Sequence, residues 1–362
     1  MSTDTCASLL TRLIGFPTEN PGGDELALCA WLGGELRGRG ADEVEVVEVP
    51  RAVGRGAYVH ARFGRPRLLL NAHVDTVPAQ AGWRGDPFTA VDDGARITGL
   101  GAADTKGAIA AALCALERAR PDGIALLFSG DEEKGGSCVR AFLASPRAAG
   151  IERALVCEPT SRAAGTRHRG VRCYQLDLGG PGGHSSAADT MVNPLALLAR
   201  AAAAIDDLGR RHRGQGPADM PGLQLNIARL DGGVAFNVVP DRAQLILSVR
   251  PPPGFAVAAL DAEVDAVAHA LDPAIVVTRP IQHAPFATRD DQPFRALLGG
   301  HVGGFVPLQF WTEAAVLAEA GIDAVVVGPG DISQAHAAGE TVTHADLAWA
   351  TDLFAHVFET WR

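Results

Sequence analysis

Leu68-Leu69-Leu70-Asn71-Ala72-His73-Val74-Asp75 is the stretch that decides the reading of this chain. A short unbroken apolar run reads as a strand buried on both faces of a parallel sheet. This one ends in an imidazole and a carboxylate. Three further runs end in the same way. Ile124-Ala125-Leu126-Leu127-Phe128 leads to Asp131-Glu132-Glu133, Ala154-Leu155-Val156-Cys157 leads to Glu158, and Ala324-Val325-Val326-Val327 leads through Gly328-Pro329-Gly330-Asp331 to His336. In open α/β sheets the functional groups lie just past the carboxyl ends of the strands. Four such endings on one edge bring two histidines and several carboxylates into one crevice, which is the donor set of a divalent-metal site.

Each ending carries its own chemistry. Side chains alternate along an extended chain, so His73 and Asp75 point the same way. A metal-bound imidazole commonly gives its second N–H to a carboxylate, a place open to Asp75. Asp104, in Gly99-Leu100-Gly101-Ala102-Ala103-Asp104-Thr105-Lys106-Gly107, reads as the N-cap of an Ala-rich helix from Lys106 to about Ala119, or as a carboxylate shared by two cations. Adjacent Glu132 and Glu133 repel each other and lose hydration at the end of a buried strand, an arrangement that needs a cation. One can bind metal while its neighbour carries a proton, the general-base arrangement of zinc hydrolases. Glu158 is held extended by Pro159. Cys157, beside Glu158, points to the opposite face and is not a ligand.

Around these endings the chain alternates helix and strand. Helices are expected over Thr5–Leu13 and Asp24–Gly38, and strands over Val44–Val49 and Tyr58–Phe63, which together imply a parallel α/β sheet. Near His168 the pattern changes. Strand Val171–Leu178, helix Asn193–Leu208, strands Leu223–Leu230 and Arg242–Arg250, helix Val257–Leu271 and strand Ala274–Arg279 form the ferredoxin-like β-α-β-β-α-β order. The α/β pattern then resumes with helix Trp311–Ala320. The expected organisation is a catalytic α/β domain of residues 1–168 plus 283–362, interrupted by an α+β domain of residues 169–282.

Composition narrows the function. Hydrophobic residues make up 47% of 362, enough for a large core, and the formal net charge of -10 with no basic run argues against a nucleic-acid partner. The cysteines Cys6, Cys29, Cys114, Cys138, Cys157 and Cys173 form no CxxC pair and read as reduced thiols. Met1 to Ala7 lacks the basic and apolar regions of a signal peptide, and no apolar stretch reaches the ~20 residues of a membrane span. A cytoplasmic protein with no membrane partner is expected.

Taken in order, Asn71–Pro78 (NAHVDTVP), Gly99–Gly107 (GLGAADTKG), Ser129–Glu133 (SGDEE), Cys157–Thr160 (CEPT) and Gly328–His336 (GPGDISQAH) resemble the dizinc aminoacylase and carboxypeptidase family. With Phe310–Ala315 (FWTEAA), the last stretch most resembles its acetylornithine/acetylcitrulline deacetylase branch. The resemblance implies a phosphorylase/hydrolase-like zinc-peptidase catalytic domain with an inserted ferredoxin-like dimerisation (lid) domain. It implies that His73 and Glu158 bind one metal, Glu133 and His336 the other, and that Asp104 bridges them. Asp75 would orient His73, and Glu132 would be the general base. Zinc, cobalt or manganese suits such a shell. In the inserted domain, Gly182-Gly183-His184-Ser185-Ser186 resembles the segment whose histidine supports the oxyanion in the active site of the partner subunit, which makes the protein a homodimer. Asn237 and Arg250 match positions that hold a substrate carboxylate, and Glu313 is a further candidate for the amino-acid end of the substrate. The implied reaction is hydrolysis of N-acetylornithine or N-acetylcitrulline to acetate and the free amino acid, as in arginine biosynthesis. A desuccinylase acting on N-succinyl-diaminopimelate, or a related carboxypeptidase, is the alternative. It needs cations for a second carboxylate, for which Arg169, Arg229 and Arg279 are candidates.

Overall fold

The computed structural model describes residues 5–51 and 53–361. They fall into two compact units. The larger takes in the chain up to Arg167, Ala287–Val306 and everything from Thr312 onward, and the smaller comprises His168–Phe286 and Pro307–Trp311. Residues 283–362 were expected to lie wholly in the larger unit. His283–Phe286 and Pro307–Trp311 instead belong with the smaller, as does His168, and there the Trp311 ring packs on His283 at 4.5 Å and its Nε1 donates to the Ala284 carbonyl at 3.2 Å.

The larger unit is built on one sheet. Its spatial order begins Glu43–Val49, Gly56–Phe63, Ile124–Ser129, Leu68–His73, Arg153–Val156, Asp323–Val326 and Ala164–His168. The middle four strands are parallel: Leu68 stands beside Ile124 and Arg153, and Asp323 beside Arg153. All four therefore finish on one edge, with His73 level with Ser129 and Asn71 level with Val156. The flanking strands pair antiparallel, so the sheet is mixed rather than parallel throughout. The Gly56–Phe63 strand can turn back on its neighbour because only a short segment separates it from Glu43–Val49, too short for the crossover that parallel pairing needs.

Both faces of the parallel centre are covered, which is why its strands read as continuous apolar runs. Leu68, Leu70, Leu126, Phe128, Leu155 and Val325 are fully buried. On one side lies the helix Gly107–Arg118, whose alanines let it approach the terminal helix His344–Thr360 closely. Thr343 caps the latter by accepting the Asp346 N–H at 3.0 Å. Truncating one of these strands in mid-core leaves a cavity that a close-packed interior cannot refill. Leu126→Ala is expected to lower unfolding free energy by about 2–5 kcal/mol, read as a fall in urea midpoint at unchanged slope.

Two helix boundaries depart from expectation. The Ala-rich helix begins at Gly107, because residues 102–106 form an irregular turn in which Asp104 has φ -121° and ψ 88°. Asp104 is therefore not an N-cap. The helix expected over Trp311–Ala320 is confined to Ala314–Glu319, where the Thr312 hydroxyl accepts the Ala314 N–H at 3.2 Å.

The smaller unit has its strands in the order Gln224–Gly232, Arg242–Arg250, Val171–Gly179, Val276–His283, all antiparallel, with the ferredoxin-like arrangement. Alternation puts Tyr174, Leu176 and Leu178 into a core with Leu245, Leu247 and Val249, under the helices Pro194–Arg211 and Val257–Leu271. The last strand runs to His283 rather than Arg279, its register shifting between Thr278 and Ile281, where Pro280 has no N–H to pair. All six cysteines are free, and no described helix is long and apolar enough to cross a membrane.

Candidate active site

At the carboxyl edge of the parallel strands two groups of side chains meet. His73, Asp104 and Glu158 form one, and Asp104, Glu133 and His336 the other; within each, the donor atoms lie within 4.8 Å of one another. Asp104 belongs to both. Its Oδ1 is 2.7 Å from His73 Nε2, and its Oδ2 is 3.2 Å from His336 Nε2. His336 Nε2 is also 3.0 Å from Glu133 Oε1, and His73 Nε2 is 3.9 Å from Glu158 Oε1.

Local structure aims each group. His73 is the last residue of its strand, and its main chain is tied to the Asp104 turn through Thr105. The Thr105 hydroxyl donates to the His73 carbonyl at 2.7 Å and accepts its N–H at 3.1 Å. His73 Nδ1 lies 2.9 Å from the Asp75 carbonyl oxygen, a pure acceptor. Nδ1 therefore carries a proton, which leaves Nε2 as the ring nitrogen that faces the cluster.

Orientation by the Asp75 carboxylate was expected. That group stands further off, its Oδ1 3.6 Å from Nδ1. It accepts instead the N–H groups of Glu132 at 3.1 Å and Glu133 at 3.2 Å, and the Asn20 amide at 2.9 Å. Asp75 thus positions the turn that bears both glutamates, and reaches His73 mainly through its backbone. The same turn is held from behind by Asp131, which has φ 64° and accepts from Asn20, Arg51 and Ser137.

Gly328 lets the last loop lie against this edge: a Cβ there would sit 2.7 Å from the Glu158 carbonyl oxygen. Cys157 faces the core, as alternation requires.

The electrostatics are those of too many carboxylates in too little water. Burial, then the charge of Glu158, pushes the Glu132 carboxyl well above the usual range. Burial, then Asp104, does the same to Glu158. Burial raises Glu133 as well. For His73, burial works against the charged form, but Asp104 overrides it and holds the imidazole well above its ordinary value. Hydrogen bonds to Asp104 and Glu133 push His336 up to about 10. Burial opposes ionisation of Asp104, yet the two histidines hold it below the carboxylate range. Divalent charge at the centre of each group relieves this pressure without protons, and the oxygen and imidazole donors suit zinc, cobalt or manganese. The residues therefore fit two cations sharing Asp104.

Glu132 is half-buried, and its carboxylate has no hydrogen-bond partner among the described residues. Glu313 is 1% exposed, its Oε2 accepting from the Ser129 hydroxyl at 2.6 Å, with burial raising its carboxyl to about 7. Instead of presenting an open contact to the amino-acid end of a substrate, it packs under the end of the Ile124–Ser129 strand. Sequence reasoning missed Asn20, Ser129 and Glu340. Asn20 and Glu340 are lone polar residues with no pattern around them, Ser129 only opens the SGDEE stretch, which assigns it no role, and each is brought in by pairing across more than 50 positions.

His184, Asn237 and Arg250 lie in the smaller unit. Gly183–His184 pairs with Val238–Val239, and the Ser185 N–H donates to the Asn237 carbonyl at 3.0 Å, which sets His184 and Asn237 side by side. The Ser186 N–H donates to His184 Nδ1 at 3.2 Å. That bond selects the tautomer with its proton on Nε2. Arg250 is half-buried, burial lowers its pKa, and its guanidinium has no partner among the described residues. The other three candidate cations are engaged. Arg169 donates to the carbonyls of Pro221, Gly222 and Arg250, Arg229 pairs with Asp231, and Arg279 pairs with Asp261 and Asp265.

Comparison with known proteins agrees with this geometry. Residues 69–360 match the family model described as peptidase family M20/M25/M40. The chain is 35% identical to the N-acetyl-L-citrulline deacetylase of Xanthomonas campestris pv. campestris, over 95% of this chain and 96% of that one. An M20 family metallo-carboxypeptidase from Sulfolobus solfataricus shares the fold with a TM-score of 0.78 at 17% identity, covering 98% of this chain and 99% of the other. Bacillus subtilis YXEP, described as a dinuclear metal-binding peptidase of the M20 family, aligns with a TM-score of 0.67 at 16% identity, over 97% and 96%. The chain belongs to peptidase family M20/M25/M40, as a hydrolytic enzyme whose clustered His, Asp and Glu side chains are suited to divalent metal ions.

Proposed function

We propose that the protein hydrolyses the amide bond of an N-acetyl amino acid, N-acetylcitrulline or N-acetylornithine, releasing acetate and the free amino acid. The observation that carries this reading is the unpartnered, half-buried Arg250 beside three engaged arginines, together with the likeness to the Xanthomonas deacetylase. One open guanidinium suits one substrate carboxylate, which its planar fork binds bidentately. A desuccinylase or glutamate carboxypeptidase would need a second. Asn237 is proposed to assist Arg250.

His73 and Glu158 are proposed to hold one divalent ion, Glu133 and His336 the other, with Asp104 common to both. When bound, two such cations polarise the acyl carbonyl and lower the pKa of water towards neutrality. Glu132 takes a proton from the attacking water as its oxygen bonds to the acyl carbon. His184, donated by a second copy of the chain, offers Nε2–H to the oxyanion. As the carbon–nitrogen bond breaks, Glu132 passes its proton to the leaving amine. Asp75 keeps the Glu132 turn in place throughout.

The test is a rate comparison on N-acetylcitrulline, N-acetylornithine and N-succinyl-diaminopimelate with zinc- and cobalt-loaded protein. One of the two acetyl compounds should lead by at least about tenfold in kcat/KM, since an unmatched buried carboxylate is strongly rejected. Preference for the succinyl compound would sink the reading. Arg250→Ala should raise KM about a hundredfold with a smaller change in kcat, because a charged hydrogen-bond pair is lost.

A further inference from the structure

Glu340 lies four positions after His336 and is 2% exposed. Its Oε2 accepts the Gly101 N–H at 2.9 Å, and its Oε1 accepts those of Ala103 at 2.9 Å and Asp104 at 3.0 Å. One carboxylate thus takes three main-chain amides of the turn from which Asp104 projects. That turn is too irregular to satisfy those amides itself: Gly101 has φ 81°, and Asp104 and Thr105 leave helical geometry. A buried backbone N–H must find an acceptor, and the acceptor found sets where the backbone lies. Here it comes from the segment that carries His336, more than 230 positions away in sequence. The 339–340 step continues directly into strand Thr341–Thr343, which pairs with Arg96–Thr98 just before the same turn.

We infer that Glu340 is a positioning residue for the two-ion site, locking the Asp104 turn to the His336 segment so that one carboxylate can serve both ion positions. This deepens the two-ion reading above and rests on it. Carboxylates that orient a ligand from outside the coordination sphere typically affect metal affinity about 10- to 100-fold.

The test titrates the full-length, metal-free protein with Zn²⁺ against a chromophoric chelator, recording stoichiometry and affinity, with circular dichroism as the fold control. Glu340→Ala is expected to weaken binding by about 10- to 100-fold. Glu340→Gln keeps one oxygen for the Ala103 and Asp104 amides but turns its NH2 toward the Gly101 N–H, so it should restore part of the affinity. An alanine variant that binds both ions as tightly as wild type overturns the inference. So does a glutamine variant as weak as alanine, since charge rather than the amide bonds would then be responsible. If the alanine variant fails to fold, Glu340→Asp replaces it. One methylene shorter, it cannot reach Gly101 and Asp104 together, so weakened binding supports the inference and unchanged binding overturns it. A wild type that binds two ions but hydrolyses no N-acyl amino acid defeats the proposed function and leaves the role of Glu340 standing.

Discussion

Glu132→Ala is expected to lower kcat by about a hundredfold to ten-thousandfold while two metal ions remain bound, the usual range for a lost proton-transfer group. The five residues of the two ligand groups do not include Glu132. Its own carboxylate is unpartnered, so removing it breaks no hydrogen bond of the described chain. The Asp75 contact is to the Glu132 N–H, which survives substitution, and with it the placement of Glu133. KM should change little, because the lost interaction belongs to the transition state. Steady-state kinetics beside elemental analysis decides the matter. An alanine variant turning over near the wild-type rate, or one that has lost its metal, would contradict the assigned role.

Asp104→Ala should have an equally large effect by the opposite route. Asp104 is the one residue present in both ligand groups, so its loss removes a donor from each position at once. Metal content is expected to fall from two ions per chain to one or none, and activity by at least about a thousandfold, since both polarisation of the carbonyl and acidification of water depend on bound metal. A stability measurement separates this from general damage. Zinc should raise the Tm of the wild type by mass action and leave that of the variant nearly unchanged. The metal-free variant should itself be less stable than metal-free wild type, because His73 and His336 lose the carboxylate that pairs with both, so the readout is the zinc-dependent rise rather than the absolute Tm. A variant that still shows the full zinc-dependent rise in Tm would remove Asp104 from its bridging place.

Much of the site was legible because period and position carry it. Leu68–Ala72 and Ile124–Phe128 are apolar without interruption because both faces are covered, and their ends are marked by charge. What could not be read were contacts whose two halves are remote and individually ordinary. The Asp75 carboxylate shares a face with His73 by alternation, yet it is spent on the Glu132 and Glu133 amides, since three buried N–H donors converge on it. Asp104 looked like a cap because caps depend on the next three residues, whereas its turn is shaped by Glu340. Glu313 sits in a motif-like stretch, but whether it opens to a substrate or packs beneath a strand depends on the sheet above it.

The sequence by itself determined the parallel centre of the sheet, the edge where chemistry gathers, and the ferredoxin-like order of the inserted segment, because hydrophobic periodicity is a local signal. Only the tertiary structure decided that Asp104 faces both histidines, that Asp75 and Glu340 act on backbone amides, and that Arg250 alone among the candidate arginines keeps an open guanidinium. Those outcomes rest on which buried donor finds which acceptor, and that competition is settled only when distant segments pack together.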